Sequence, residues 1–280
     1  MGIRIRDLLG QQVGEWRFEP TGKRIRGILD GETLLDSRRA VLAWEPRRVL
    51  PSYAVPAGDI AGDLVELSQA AEGAAWAPGD GLPDVAMNGP ILPPTVPFRI
   101  HSGAGIPLEA RMPGSARAAE AFRPDDPDLR GYIVFGFDSL DTWLEEDDEA
   151  IGHPRDPYWR VDVRSSSQVV EIQLDGQTLA ASNRPLLAFE TMLPVRYYFH
   201  PEDVQVPLVP SPTRTICPYK GRAKYWSLNL LGQVHRDLAW TYAEPFGDAS
   251  ALAGHVCFFD ERLDLVLDGS RRPRPRTPWS

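Results

Sequence analysis

The chain repeats itself. Displaced by 145 positions, residues 29–56 fall on residues 174–201. Twelve of those twenty-eight positions are identical: Leu29, Asp30, Gly31, Thr33, Leu34, Ser37, Arg39, Leu42, Ala43, Glu45, Tyr53 and Pro56. Chance at ordinary composition gives about two. A repeat of this length is one folded unit used twice, so the chain reads as two related domains. The second half of each repeat follows at a shift of 123, where Gly131, Phe135, Leu140 and Asp141 meet Gly254, Phe258, Leu263 and Asp264. The shorter shift leaves 22 extra residues inside the first copy. The Ala/Gly/Pro-rich stretch 70–94 is where a surface insertion or lid is expected. The expected organisation is a first domain at 20–150, a linker near 149–157, a second domain at 158–270, and a disordered basic tail at 271–280.

Both copies read as mainly β. The 24 glycines and 27 prolines punctuate the chain every few residues. Between them lie short β-favouring runs such as RIRGIL, AVLAW, YIVFGF, QVVEIQL, RYYF, KYWSLNL, LAWTY and HVCFFD, several alternating in polarity. The Asp-Gly pairs at 30–31 and 175–176 supply the positive φ of a two-residue hairpin turn, so each repeat is expected to open with a hairpin. Residues 114–121 and 139–148 are the main helical candidates.

Composition excludes several classes. At 42% hydrophobic and 25% charged the chain is globular. No run of 18 apolar residues suits a membrane span. The segment MGIRIRDLLGQQVGEW lacks the apolar core of a secretory signal. Two cysteines, Cys217 and Cys257, are few for a disulfide-dependent protein and point to a reducing cytoplasm. Net charge is −9, and setting aside Arg271, Arg272, Arg274 and Arg276 leaves 26 basic against 39 acidic residues. Such a body repels phosphate backbones and argues against a nucleic-acid partner.

The second copy carries TICPYKGRAKYW (215–226), DLAWTY (237–242) and AGHVCFFDERLDLVLDG (253–269), and the connection carries GHPRDPYWRVDVRSSS (152–167). Together these resemble the domain of unknown function 427 family, in the tandem form seen in actinobacteria. The resemblance implies a compact β-rich domain similar to the β-tent architecture and implies little about activity. A nucleotidyltransferase label travels with that family. Metal-dependent nucleotidyl transfer would need carboxylates to hold Mg²⁺ against a triphosphate.

Cys217-Pro-Tyr219-Lys220-Gly221 is the sharpest constellation. A cation beside a thiol favours the thiolate, so Lys220 would activate Cys217 or position an anionic ligand, and Gly221 would let backbone approach a ligand. The alternative is that Cys217 is a small buried hydrophobe. Aligned at a shift of 116, His101 falls opposite Cys217, and a Cys–His pair would suit nucleophilic catalysis. Two equivalent turns facing separate pockets is the competing reading. His153, Arg155 and Asp156 form a polar connection that would either clamp an anion or lock the domains by an ion pair. The acidic run 145–149 is a solvated face or a hard-cation site. No His-x-x-x-His spacing or cysteine cluster points to zinc, and neither a metal nor an organic cofactor is expected.

Tyr197, Tyr198, Tyr225, Trp226, Trp240 and Tyr242 gather around the same segment, some as core and some as pocket walls. Arg196 and Tyr197 align with Pro51 and Ser52 of the first copy, an asymmetry that suggests a site kept only in the second. The resulting expectation is a cytoplasmic small-molecule enzyme. Cys217, Lys220 and His101 are its catalytic candidates; Arg196, Tyr197, Tyr219, Gly221, Trp226, Trp240, His153, Arg155 and Asp156 are its ligand-binding candidates. A small-ligand-binding or protein-interaction module without turnover is the alternative.

Overall fold

A computed structural model describes residues 2–67, 89–230 and 232–277. The chain divides between Asp156 and Pro157 into two compact units. In unit 1 a short helix, α1 (Ile5–Gln11), precedes β1 (Arg17–Pro20), β2 (Ile25–Leu29), β3 (Glu32–Ser37), β4 (Val41–Trp44), β5 (Ser52–Pro56), β6 (Asp63–Glu66), β7 (Gly105–Arg111), β8 (Ala118–Pro124), β9 (Tyr132–Phe135), β10 (Thr142–Glu145) and β11 (Asp148–Ala150). Unit 2 contains β12 (Val161–Ser165), β13 (Val170–Leu174), β14 (Gln177–Ser182), β15 (Leu186–Glu190), β16 (Arg196–Phe199), β17 (Leu208–Cys217), β18 (Gly221–Leu230), β19 (Gln233–Tyr242), β20 (Val256–Phe258), β21 (Asp264–Leu267) and β22 (Ser270–Arg271).

The same topology is used twice. Among the described residues, unit 1 has a seven-stranded sheet ordered β1-β4-β5-β9-β8-β7-β6 and a four-stranded sheet ordered β11-β10-β2-β3. Unit 2 repeats both, as β12-β15-β16-β20-β19-β18-β17 and β14-β13-β21-β22. The Asp-Gly turns are hairpin turns with both residues at positive φ: 52° and 82° at Asp30-Gly31, 49° and 82° at Asp175-Gly176. Each following pair of strands even slips register at the same place, between Gly27 and Ile28 and between Ile172 and Gln173.

In each unit the two sheets close over one core. Unit 1 buries Leu29, Leu34, Tyr53, Phe135 and Trp143 there; unit 2 buries Ile172, Leu179, Phe199, Leu228 and Phe258. Alternate residues of the seven-stranded sheets face outward, yet they too are covered. Ala54, Phe122 and Val134 form an outer cluster in unit 1, and Tyr198, Trp240 and Cys257 form one in unit 2. A sheet buried on both faces needs lids, and the two units build them differently.

Several sequence expectations are corrected. Neither helical candidate forms: residues 118–124 are β8, whose side chains alternate in burial, and 139–148 hold a 3₁₀ turn end followed by β10. The only α-helix among the described residues is α1, a segment that the sequence reading treated only as a failed signal. Most of the expected insertion, residues 70–88, lies outside the described residues. The tail is held to unit 2 as far as Thr277, since Arg271 and Arg274 pair with Asp264 and Thr277 donates to Glu261 over 3.1 Å.

The register also shifts by one after residue 45. Ala43 pairs with Ser52 where Ala188 pairs with Arg196. Ser37 donates to Asp59 at 2.6 Å where Ser182 donates to Asp203 at 2.7 Å. The turn leading into β16 is therefore one residue shorter than its counterpart. Arg196 corresponds to Ser52 and Tyr197 to Tyr53, in place of the Pro51 and Ser52 expected.

Gly31 and Gly176 have no atom within 4 Å of an added Cβ, so substitution there meets only the left-handed backbone. Gly31→Ala and Gly176→Ala should each cost roughly 1–2 kcal/mol, read as a lower denaturant midpoint at unchanged slope. Gly58→Ala, equally open and at ordinary φ, should be neutral within about 0.5 kcal/mol.

Candidate functional site

The Cys-Pro-Tyr-Lys-Gly segment is a hairpin tip. β17 ends at Cys217, which pairs with Gly221 at the start of β18. Gly221 sits at φ 102°, and an added Cβ would lie 3.1 Å from the Glu244 carbonyl oxygen. The turn accounts for this glycine without a ligand. The tip directs Lys220 to the outer face of the sheet, where its ammonium pairs with Glu190 at the end of β15. The other Glu190 oxygen accepts the Trp159 indole N–H at 3.0 Å. Both members of the ion pair are largely buried, with side-chain exposures of 13% and 7%.

Aromatic rings enclose this pair. Trp159 and Tyr219 stack with centroids 6.3 Å apart, and Trp240 donates its indole N–H to the Tyr198 hydroxyl at 3.2 Å. Tyr198, Tyr219, Trp240 and Tyr242 share one buried cluster, with Cys217 packed against its edge. Burial sets the electrostatics. It raises the Cys217 thiol above its ordinary value; Lys220 opposes that and Glu190 adds to it. Burial pulls the Lys220 ammonium down, but the Glu190 carboxylate, with Tyr242 and Cys217, carries it well above an ordinary lysine. Burial likewise raises the Tyr198 and Tyr242 hydroxyls. The expected low-pKa thiolate is therefore corrected: at neutral pH the cluster holds a thiol, an ammonium and two phenols.

Other candidates stand elsewhere. Tyr197 and Trp226 pack against the core between the two sheets of unit 2, on the face opposite Lys220, because their strands alternate. They are not walls of this cluster. Arg196 is not a free anion anchor. It pairs with Asp260 and grips Glu261 through two bonds of 2.8 and 2.5 Å, with its guanidinium 5.6 Å from the Trp240 ring centre. Burial raises Asp260 to about 6 against the pull of Arg196, and Glu261 adds to the rise.

His101 belongs to unit 1. Phe122 pairs with Val134 and with Pro107, as Trp240 pairs with Cys257 and with Tyr225. Counting back from Pro107 and Tyr225 sets Gly103 against Gly221 and His101 against Tyr219. The alignment of His101 with Cys217 is two residues out of register. The His101 ring stacks on Phe122 at 3.9 Å, and its Nδ1 lies 3.4 Å from Glu45. Glu45, the counterpart of Glu190, also takes Arg48 at 3.1 Å and the Gly103 N–H at 2.9 Å. Arg48 in turn donates to the carbonyls of Val96, Pro97 and Ile100, fastening the loop before β7.

His153, Arg155 and Asp156 close unit 1. His153 Nδ1–H donates to the Pro154 carbonyl at 2.8 Å. The charge of Asp156 partly offsets the burial that lowers Arg17 to about 10. In the acidic run, Glu145 meets Lys23 and the Tyr53 hydroxyl, Glu146 accepts the Arg24 N–H, and Asp147 pairs with Arg26. Among the described residues no three His, Cys, Asp or Glu side chains gather as a metal site.

Sequence reasoning missed Glu190 and Trp159 as members of the site. The identity of Glu45 and Glu190 across the copies was the available signal, since a glutamate held at the same strand end in both units has a common burial to satisfy.

Residues 162–269, within unit 2, match the model of a family described as a domain of unknown function (DUF427). No curated protein matches the chain. No helix among the described residues is long and apolar enough to cross a membrane.

Two outcomes test this geometry. The midpoint for Cys217 alkylation should lie above the ~8.5 of an ordinary thiol, and Lys220→Met should move it higher still. Arg196→Met should strand two buried carboxylates and cost about 3–5 kcal/mol. The folded state of that variant then binds protons more readily than the unfolded chain, so the loss should be greater at pH 8 than at pH 5 in parallel denaturant titrations.

Proposed function

We propose that unit 2 is a small-ligand-binding module of a cytoplasmic protein, built around Lys220 and Glu190, and that unit 1 is a second copy of the same domain with its site converted to a structural staple. One observation carries this reading: Lys220 and Glu190 form a largely buried ion pair beside the stacked rings of Trp159 and Tyr219. The groups around that pair are not tuned for proton transfer near neutral pH. Acid–base catalysis works best with a pKa near the operating pH, and a nucleophilic cysteine needs a lowered one. Cys217, Lys220, Tyr198 and Tyr242 all move upward. Binding requires no such tuning. A largely buried ammonium beside stacked aromatic rings suits a small planar carboxylate, which would take Lys220 from Glu190 and lie against Trp159 and Tyr219.

Benzoate is the direct probe, with intrinsic tryptophan fluorescence as the readout. Saturable quenching is expected, at least tenfold weaker with acetate and absent in Lys220→Met. The reading fails if benzoate does not saturate or if Lys220→Met binds it equally well. Catalysis would regain the lead if Cys217 alkylated faster than a free thiol at pH 7.

A further inference from the structure

A second site lies elsewhere on the outer face of unit 2. Phe199 in β16 pairs with Val256 in β20. One step further along this antiparallel register, His200 stands directly opposite His255. Directly opposed residues carry their Cβ atoms about 5 Å apart, and here the two imidazole centroids are 4.3 Å apart, tilted by 57°. His255 Nδ1 lies 3.1 Å from the Ala253 carbonyl oxygen. A carbonyl only accepts, so the proton resides on Nδ1 and Nε2 carries a bare lone pair. That Nε2 is shielded from solvent and meets no hydrogen-bond partner among the described residues.

An imidazole held by a backbone carbonyl at one nitrogen, with the other nitrogen bare, is the arrangement of a metal-ligating histidine. The ring spacing distinguishes among ions. With metal–nitrogen bonds of about 2.0 Å, two imidazole centres lie roughly 4.5 Å apart at a right angle and roughly 5.2 Å apart at the tetrahedral angle. The observed spacing fits the right angle. We propose that His200 and His255 form a cross-strand clip for a divalent transition-metal ion of square-planar or tetragonal preference, Cu(II) foremost. Its remaining coordination positions would be taken by water or an exogenous ligand. Unit 1 provides the internal contrast, because Pro56 pairs with Tyr132 at the corresponding positions and supplies no imidazole.

The test uses the full chain and Cu(II) itself, by calorimetric titration and electron paramagnetic resonance. One equivalent should bind with couplings to two imidazole nitrogens. His200→Gln and His255→Gln should each weaken it at least tenfold, while His235→Gln leaves it unchanged. Zn(II), as a diamagnetic reporter on the unaltered chain, should shift the ring resonances of His200 and His255 together ahead of the other three histidines. That measurement decides the matter even if a variant loses its fold. Absence of stoichiometric Cu(II) binding overturns the proposal, as does binding indifferent to both substitutions or a zinc response centred on other histidines.

Discussion

A carboxylate buried at the end of the strand next to the sheet's edge governs how each unit is finished. Glu45 follows β4 and Glu190 ends β15, both on the outward face of a seven-stranded sheet that apolar and aromatic side chains cover. An isolated buried carboxylate costs several kcal/mol, so each unit must bring donors to it. Unit 1 brings Arg48, His101 and the N–H of Gly103, and in doing so pins a long loop over the sheet. Unit 2 brings Lys220 and Trp159, and the approach is a three-residue hairpin turn. The same electrostatic demand thus produces a stapled loop in one copy and a compact aromatic-lined ion pair in the other.

A second network in unit 2 has no counterpart among the described residues of unit 1. Arg196 joins β16 to Asp260 and Glu261, which follow β20, and it lies over Trp240. Its position corresponds to Ser52, so this lock belongs to one copy alone. The result is a buried lysine and, beside it, a buried arginine that are both already paired.

Much of this fold is legible in the residues themselves. The Asp-Gly turns, the alternating runs and the two diagonal shifts yield two copies of one β topology, down to a shared register slip. The site is only partly legible, for physical reasons. Identity counting carried the alignment through Tyr53 and Pro56, although the turn before β16 is one residue short, because a matched tyrosine and proline outweigh a gap that only strand pairing reveals. Alternation placed Tyr197 and Trp226 on the face away from Lys220, yet clustering in sequence suggested a common wall. The thiol was misjudged because a neighbouring lysine is visible in sequence, whereas the burial that outweighs it is not. The histidine pair escaped for a related reason: ligand spacing was sought along the chain, and His200 and His255 meet across it.

The seating of Thr277 against Glu261 extends the Arg196 network by one more strut. Thr277 is 2% exposed, and its hydroxyl completes the shell of the same carboxylate that grips Arg196. Loss of the Thr277 hydroxyl would withdraw a donor from a buried charge, and the effect would pass through Glu261 to Arg196 and to the Trp240 ring that it lies over.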